Sequence, residues 1–501
     1  MRSSEKVREK LGLLARNRIL ILDGAMGSMI QAHISASGES LEGCNDMLCL
    51  TRPELISGIH EAYLKAGADI ITTCSFNSTA ISLADYGLAQ AAYEVSAAAG
   101  RLARGAADAY STPDKPRFVA GSLGPTAKSA SIAPDLDDPG KRSVSWDELQ
   151  AAYYDNARGL LDGGADIILI ETIFDTLNAK AAIFAARRLA QERGIDLPLF
   201  ISATVSDKGG RLLSGQSAEA FCISVLHAQP AALGLNCSFG AEKLKPYIAA
   251  LSAAAAYGSV PCLISAYPNA GFPNRFGAYD ESPESMGEQL EDYMRQGLVN
   301  IAGGCCGSTP AHIAAIAARA KNYAPRPLPA PALKKKAMLA GLNILELSRE
   351  DDLAGINEHR KRFPRRDEFK RLLTERDYDG AVDLVRESVE EGAALIDICI
   401  DDTVPDAKTA LSSFLNLALQ YPDIARLPVL LSGSCHDLTE AGLKCIQGKA
   451  LVSTAGCTQE EGGLSSLARL ARAYGAAIAA SPNHHKFLTD SGFPPEDIFH
   501  L

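Results

Sequence analysis

Gly164-Ala-Asp-Ile-Ile-Leu-Ile-Glu-Thr172 is the stretch that decides the fold. A Gly-Ala-Asp turn introduces a short apolar run, Ile167–Ile170, which stops abruptly at two polar residues, Glu171 and Thr172. The same turn, Gly67-Ala68-Asp69, introduces Ile70–Thr73. Working outward, comparable runs occur at Ile19–Leu22, Phe118–Ala120, Leu199–Ala203, Ala232–Leu235, Cys262–Ser265 and Val299–Ala302. Between them lie longer, Ala-rich, helix-favouring stretches. Eight such repeats without a second sheet signature predict an α/β fold, a (β/α)8 TIM barrel, for a domain spanning residues 1–323. Chemistry in such barrels sits at the C-terminal ends of the strands. The polar and Gly-rich motifs fall there: Asp23–Gly27 after the first strand, Glu171-Thr172 after the fourth, Asn236-Cys237 after the sixth and Gly303–Gly307 after the eighth.

A Pro- and Lys-rich stretch, Ala324–Lys336, breaks this pattern and reads as a linker over 324–340. A second α/β series follows in 341–501, with candidate strands Leu342–Leu345, Leu395–Ile400, Val429–Leu431, Leu451–Ser453, Ala476–Ala479 and Asp497–Leu501. Five or six strands cannot close an eight-stranded barrel. The expectation is therefore a truncated, open domain, or one that another chain completes. Two domains also suit the 501-residue length. A net charge of −11, without a dense basic patch, argues against nucleic acid. No apolar run reaches membrane-spanning length, and the N-terminal residues lack a signal-peptide core. Twelve cysteines without an export signal point to the reducing cytoplasm.

The last strand leads into Ile301-Ala-Gly-Gly-Cys305-Cys306-Gly-Ser-Thr-Pro310. Vicinal cysteines flanked by glycines fill a core poorly but can aim two thiolates at one metal ion. Cys237 ends another strand and supplies a third. Three sulfur ligands and one open position describe a zinc site that binds a substrate thiol, removes its proton and leaves it nucleophilic toward an electrophilic methyl group. Cys237, Cys305 and Cys306 are thus both the metal ligands and the catalytic candidates. Asp23 and Glu171 suit an α-ammonium, and the N–H groups of Gly24–Gly27 suit an α-carboxylate. The competing readings are a tight βα turn for Gly24–Gly27 and a salt bridge across the barrel mouth for Glu171. Cys44, Cys49 and Cys74 read as spectators, with Cys74 near enough to compete as a ligand. The nine histidines lack metal-ligand spacing, and His484-His485 reads as a solvated loop.

Further motifs occur in order: Gly43-Cys44-Asn45-Asp46 through Phe76-Asn77, Gly124-Pro125-Thr126, Glu171–Thr176, Gly234–Cys237, Tyr267–Gly271 and Gly303–Gly307. Together they resemble the homocysteine-binding module of cobalamin-dependent methionine synthase, within the zinc homocysteine S-methyltransferase family. The resemblance implies zinc on Cys237, Cys305 and Cys306 and homocysteine as methyl acceptor, forming methionine. It also implies Asp23, Gly24, Ala25, Thr73 and Glu171 as contacts to the amino acid. Thr72-Thr73-Cys74-Ser75 departs from the family's Glu-Thr-Asn-Thr, which bears on pocket hydration and on the acceptor.

The second domain resembles the start of that enzyme's methyltetrahydrofolate (pterin)-binding barrel, best over Glu440–Lys449 and Phe493–Ile498. Its pterin-contacting motifs are altered to Leu345-Glu346-Leu347-Ser348-Arg349, Asp397-Ile398-Cys399, Ser432-Gly433-Ser434 and Ser453, so folate binding is not expected. A methylated corrinoid (methylcobalamin) on a separate protein is the expected donor. An S-methylmethionine-type donor and a non-catalytic homocysteine- or zinc-binding module are the alternatives.

Overall fold

In the computed structural model the described residues are 4–37, 44–206, 209–274, 279–329, 336–348, 365–401, 403–433, 436–454 and 461–500. Gly43, Arg349, Ser434, Leu501 and linker residues 330–335 lie outside them.

Eight parallel strands run β1 (Leu20–Ile21), β2 (Ile70–Thr72), β3 (Phe118–Leu123), β4 (Ile167–Ile173), β5 (Leu199–Ala203), β6 (Ala232–Gly240), β7 (Leu263–Asn269) and β8 (Ile301–Ala302). Sequential neighbours pair from β2 to β8, and β8 pairs with β1. A Leu22–Ile70 bridge and the bond from Asp69 N–H to the Ile21 carbonyl (2.7 Å) join β1 to β2, so the ring closes. The unbroken apolar runs have a cause: both faces of each strand are buried. Ile167 and Leu169 point into the barrel with Leu20, Ile70, Phe200 and Ile301, while Ile168 and Ile170 face the surrounding helices. An N-terminal helix, Ser4–Asn17, sets Val7, Leu11 and Ala15 at four-residue spacing into the interior cluster. Each such buried Leu or Ile side chain contributes about 1.5–3 kcal/mol.

Several strands outrun their expected ends. β4 and β6 continue through register shifts at Ile170/Ile173 and Cys237/Gly240, so Glu171 and Cys237 lie within bulged strand ends and not beyond them.

The expected strand Leu342–Leu345 is corrected to half of an antiparallel hairpin. β9 (Lys336–Ala340) occupies the end of the expected linker and pairs with β10 (Ile344–Ser348) around the Gly341–Asn343 turn. β9 is two-faced: Ala337 and Leu339 enter the second domain's core, whereas Met338 and Ala340 meet Ala220 and Ile223 of the barrel. Beyond it, β11 (Ile396–Cys399), β12 (Val429–Ser432), β13 (Leu451–Ser453), β14 (Ala477–Ala480) and β15 (Ile498–His500) form an open parallel sheet in chain order. His484 and His485 are also corrected: they lie on the helix Pro482–Asp490, where His484 Nδ1 is 3.1 Å from Thr454 Oγ1. No described helix is long and apolar enough to cross a membrane.

Candidate metal centre

The bulges at the ends of β4 and β6 are held in strained backbone. Thr172, Cys237 and Ser238 adopt φ of 54°, 59° and 65°, each costing about 1–3 kcal/mol for a non-glycine residue. Buried Asn236 compensates. Its Oδ1 accepts from Thr172 N–H (3.1 Å) and Ser202 Oγ (2.7 Å), and its Nδ2 donates to Thr172 Oγ1 (2.8 Å). The same Nδ2 lies 3.9 Å from Cys305 Sγ.

The loop after β8 is anchored on three sides. Gly304 N–H donates to the Asp23 carbonyl (3.1 Å), Cys305 N–H to that of Pro268 (2.7 Å), and Ala270 N–H to that of Cys306 (2.9 Å). A Cβ at Gly304 would overlap the Ser308 side chain, and Gly307 takes a φ of 78°, so glycine is required at both positions.

These constraints bring the three sequence-predicted thiols together. Cys237 and Cys306 sulfurs are 3.7 Å apart, Cys305 and Cys306 sulfurs 4.0 Å, and all three lie within 4.8 Å. Thiolates bound tetrahedrally at about 2.3 Å stand roughly 3.8 Å apart, so the cluster has the size of a metal site. Hydrogen bonds from Cys237 and Cys305 pull the Cys306 thiol below its ordinary pKa, while contact with Cys237 and Cys306 pushes Cys305 up. Packed thiols can share one negative charge easily; a cation is needed to hold three. Asn269, at the end of β7, keeps a buried Oδ1 with no hydrogen-bond partner among the described residues. Three soft sulfurs of this spacing suit a borderline metal such as zinc.

The other predicted residues are placed as follows. Glu171 is flanked by Ser122, whose Oγ donates to it at 2.5 Å, and by the Tyr267 hydroxyl, which makes no hydrogen bond of normal geometry. Burial raises the Glu171 pKa to about 7, and no basic side chain pairs with it among the described residues. Asp23 is buried, which pushes its pKa up against the opposing bonds from Thr72 N–H (2.7 Å) and Oγ1. Ala25 N–H is taken by Ser308 Oγ (3.2 Å), and the Tyr63 hydroxyl lies 3.1 Å from both the Ala25 and Ser308 carbonyl oxygens. A Cβ at Gly24 would meet Tyr63 and Ser308 at under 3 Å. The Thr73 hydroxyl faces inward, bonded to Ser75 Oγ (2.6 Å) and Ser122 N–H (2.9 Å); it supports Ser122 and through it Glu171.

Cys74 is kept apart from the three thiols, its sulfur 3.9 Å from buried Asp46 and Cys49 bonded to its carbonyl. Asn236, Ser122, Tyr267 and Asn269 were not singled out from the sequence, although each lies within or next to a motif quoted for its neighbours. Tyr279, whose side chain packs against Gly307 beside Cys306, carried no such signal.

Comparison with known proteins now bears on this arrangement. The profile of the family described as Homocysteine S-methyltransferase matches residues 20–320. The chain belongs to that family. Residues 366–487 match the Pterin binding enzyme profile. Among solved structures, the chain is similar to the metallated form of the homocysteine methyltransferase MmuM from Escherichia coli, at 29% identity and a TM-score of 0.48, covering 62% of this chain and 98% of that one. The oxidized form of the same enzyme matches at 28% identity and a TM-score of 0.48, over 61% and 98% of the two chains. In this homocysteine S-methyltransferase, the residues conferring family membership and the residues forming the thiol cluster lie in one domain, the closed barrel.

Proposed function

We propose that the protein transfers a methyl group to the sulfur of homocysteine, forming methionine, with zinc held by Cys237, Cys305 and Cys306. The observation that carries this reading is the triangle of sulfurs beside two carboxyl groups, buried Asp23 and half-buried Glu171. Zinc in that triangle supplies Lewis acidity that keeps the acceptor sulfur as a thiolate at neutral pH.

The chain's own residues do the rest. Glu171, kept partly protonated by burial, gains an ion partner when the α-ammonium enters, and Ser122 holds its other oxygen in place. Asp23 adds negative potential but spends its oxygens on Thr72, so its part is secondary. Ala25 N–H is already bonded, which leaves the first-turn N–H groups of the helix Met26–Ser37 for the α-carboxylate. Asn236 keeps Cys237 and Thr172 in their bulged conformations, so the sulfur and the ammonium are read from one rigid frame.

The methyl donor in this reading is a methylcorrinoid carried by a separate protein. A pterin donor is disfavoured because Asp397, the carboxylate remaining from the second domain's Asp-Ile-Asn motif, is bonded by Arg366 (3.1 Å) and Ser432. It has no free edge to offer a pterin ring.

Titrating L-homocysteine into zinc-loaded protein in two buffers of different ionisation enthalpy tests the acceptor. The expected result near pH 7 is binding with more than one proton released, one from the acceptor thiol and a further fraction from Glu171 as it ionises, followed by methionine formation when methylcobalamin is added. Stoichiometric zinc without homocysteine binding would make the metal structural and overturn the reading. Homocysteine binding with methionine formed from S-methylmethionine and not from methylcobalamin would transfer the donor assignment to a sulfonium.

A further inference from the structure

The two domains enclose a cavity of about 240 Å³ far from the thiol cluster. Its walls include Gln229 and Gly258–Ser259, which precede β6 and β7, and Ala476 and Glu496–Asp497, which precede β14 and β15. It therefore lies at the N-terminal ends of both sheets, whereas the cysteines occupy the C-terminal ends of the barrel strands.

The cavity has an excess of unpaired positive charge. Arg187, on the helix Thr176–Arg193, is half-buried and has no carboxylate partner among the described residues. Burial, then Arg8 and Arg472, depress its pKa, as expected of a cation lacking a counterion. Arg472 stands at the mouth, bonded to the Gly492 carbonyl and stacked over Phe493 at 5.8 Å, also without a carboxylate partner there. Lys449 is neutralised by Asp497, which leaves Glu496 as the one remaining acid against two guanidinium groups.

His227 completes the polar wall. Its Nδ1 faces the Ser224 carbonyl at 3.1 Å, and its Nε2 is buried without a partner among the described residues. Gly475 of the second domain is packed so closely on this ring that a Cβ there would overlap it. The rest of the lining is largely apolar, with Leu226, Tyr257, Met338 and Phe493.

We infer that this interdomain cavity binds a small organic phosphate monoester, its phosphate on Arg187 and Arg472 and its body against the apolar lining, with a hydroxyl of that body donating to His227 Nε2. Guanidinium forks match phosphate oxygens two at a time, and a dianion balances the two unpaired cations. Half-buried Arg187 without an anion is otherwise a cost to folding. Because both domains line the site, the ligand stabilises their docked arrangement by mass action.

The test uses the full chain in chloride buffer of fixed ionic strength, with inorganic phosphate and glycerol phosphate as probes, read by thermal melting and calorimetry. Both probes should raise the melting temperature, glycerol phosphate binding more tightly than inorganic phosphate. Arg187→Gln should weaken glycerol phosphate roughly tenfold or more and should melt no lower than wild type in phosphate-free buffer, since it removes an unpaired charge. No response from wild type, or equal affinity in Arg187→Gln, would overturn the site. Equal affinity for the two probes would overturn the assignment of an organic ester and leave free phosphate as the occupant. A lower melting point for Arg187→Gln without phosphate would show that Arg187 is a structural cation and sink the proposal.

Discussion

Cys306 touches both other sulfurs of the cluster, and its loss removes one of the three thiolates at their point of contact. Cys306→Ser should lose stoichiometric zinc on dialysis, from one per chain to near none, with an unchanged far-ultraviolet circular dichroism spectrum; zinc retained in that variant would exclude Cys306 as a ligand. Asn236 makes a different contribution. It touches no substrate in the proposed arrangement, but three of its hydrogen bonds clamp the strained Thr172 backbone and the start of the Cys237 bulge. Asn236→Ala should therefore cost about 2–3 kcal/mol in urea unfolding and weaken zinc by roughly ten- to a hundredfold, the usual effect of removing support from behind a metal ligand. An Asn236→Ala protein with wild-type zinc affinity would show that the bulge holds itself. The thiols were legible in the sequence because vicinal cysteines between glycines have few structural uses. Asn236 was quoted in the same motif but passed over, since an asparagine before a cysteine has no distinctive chemistry until the bulge turns its amide across to β4.

Regular elements were legible wherever apolar runs and turn residues told one story, as in Gly-Ala-Asp followed by Ile167–Ile170. What periodicity could not show was where a strand bends. The bulges at Ile170/Ile173 and Cys237/Gly240 have no signature in hydrophobicity, because polar residues continue the strand by pairing only with their neighbours. The β9–β10 hairpin was missed for the opposite reason: Lys336–Ala340 follows a proline-rich stretch and two lysines, and its two-sided burial appears only once both domains are in place. Helices hold one further unpredicted feature. The helix Pro53–Ala66, started by Pro53 and ended at Gly67 with φ of 114°, buries Ile56, Ile59, Tyr63 and also His60. Both His60 ring nitrogens lack partners among the described residues, and burial lowers its pKa to about 4. The unfolded chain, with a histidine near 6.5, binds the proton first. Stability is then complete above about pH 6.5 and falls as the pH drops toward 4, by about 3 kcal/mol in total. His60→Leu should flatten that limb, so the urea midpoints of variant and wild type should diverge between pH 6.5 and 4.5 and run parallel above pH 7. Parallel midpoints throughout would mean that His60 is solvated in the folded protein.

At the scale of the whole molecule, the second domain is fastened to the barrel by contacts that a freely tethered domain would not need. Lys180, buried on the barrel side with its pKa lowered by burial to about 7, donates to the Gly448 carbonyl and approaches that of Ile446 (3.4 Å). Gln216 Nε2 donates to the Gly341 carbonyl (2.7 Å), and Arg142 reaches the Asn416 carbonyl (2.5 Å). Trp146 and Phe184 of the barrel pack on Tyr474 of the second domain at 5.2 and 5.3 Å. The loops and helices of the second domain thus cover part of the barrel's outer surface. Gly448 is the tightest point of the seam: a Cβ there would overlap the Ala340 carbonyl oxygen, a backbone atom that cannot rotate away. Gly448→Ala should cost about 3 kcal/mol as β9 is forced off its seat. Trp146 is the chain's single tryptophan, so its emission reports docking directly. The variant should show a red-shifted emission at temperatures where zinc remains at one per chain, because the thiol cluster lies wholly within the barrel. Emission and zinc content that change together would mean that the barrel and the second domain fold as one unit, and that the metal site depends on the seam.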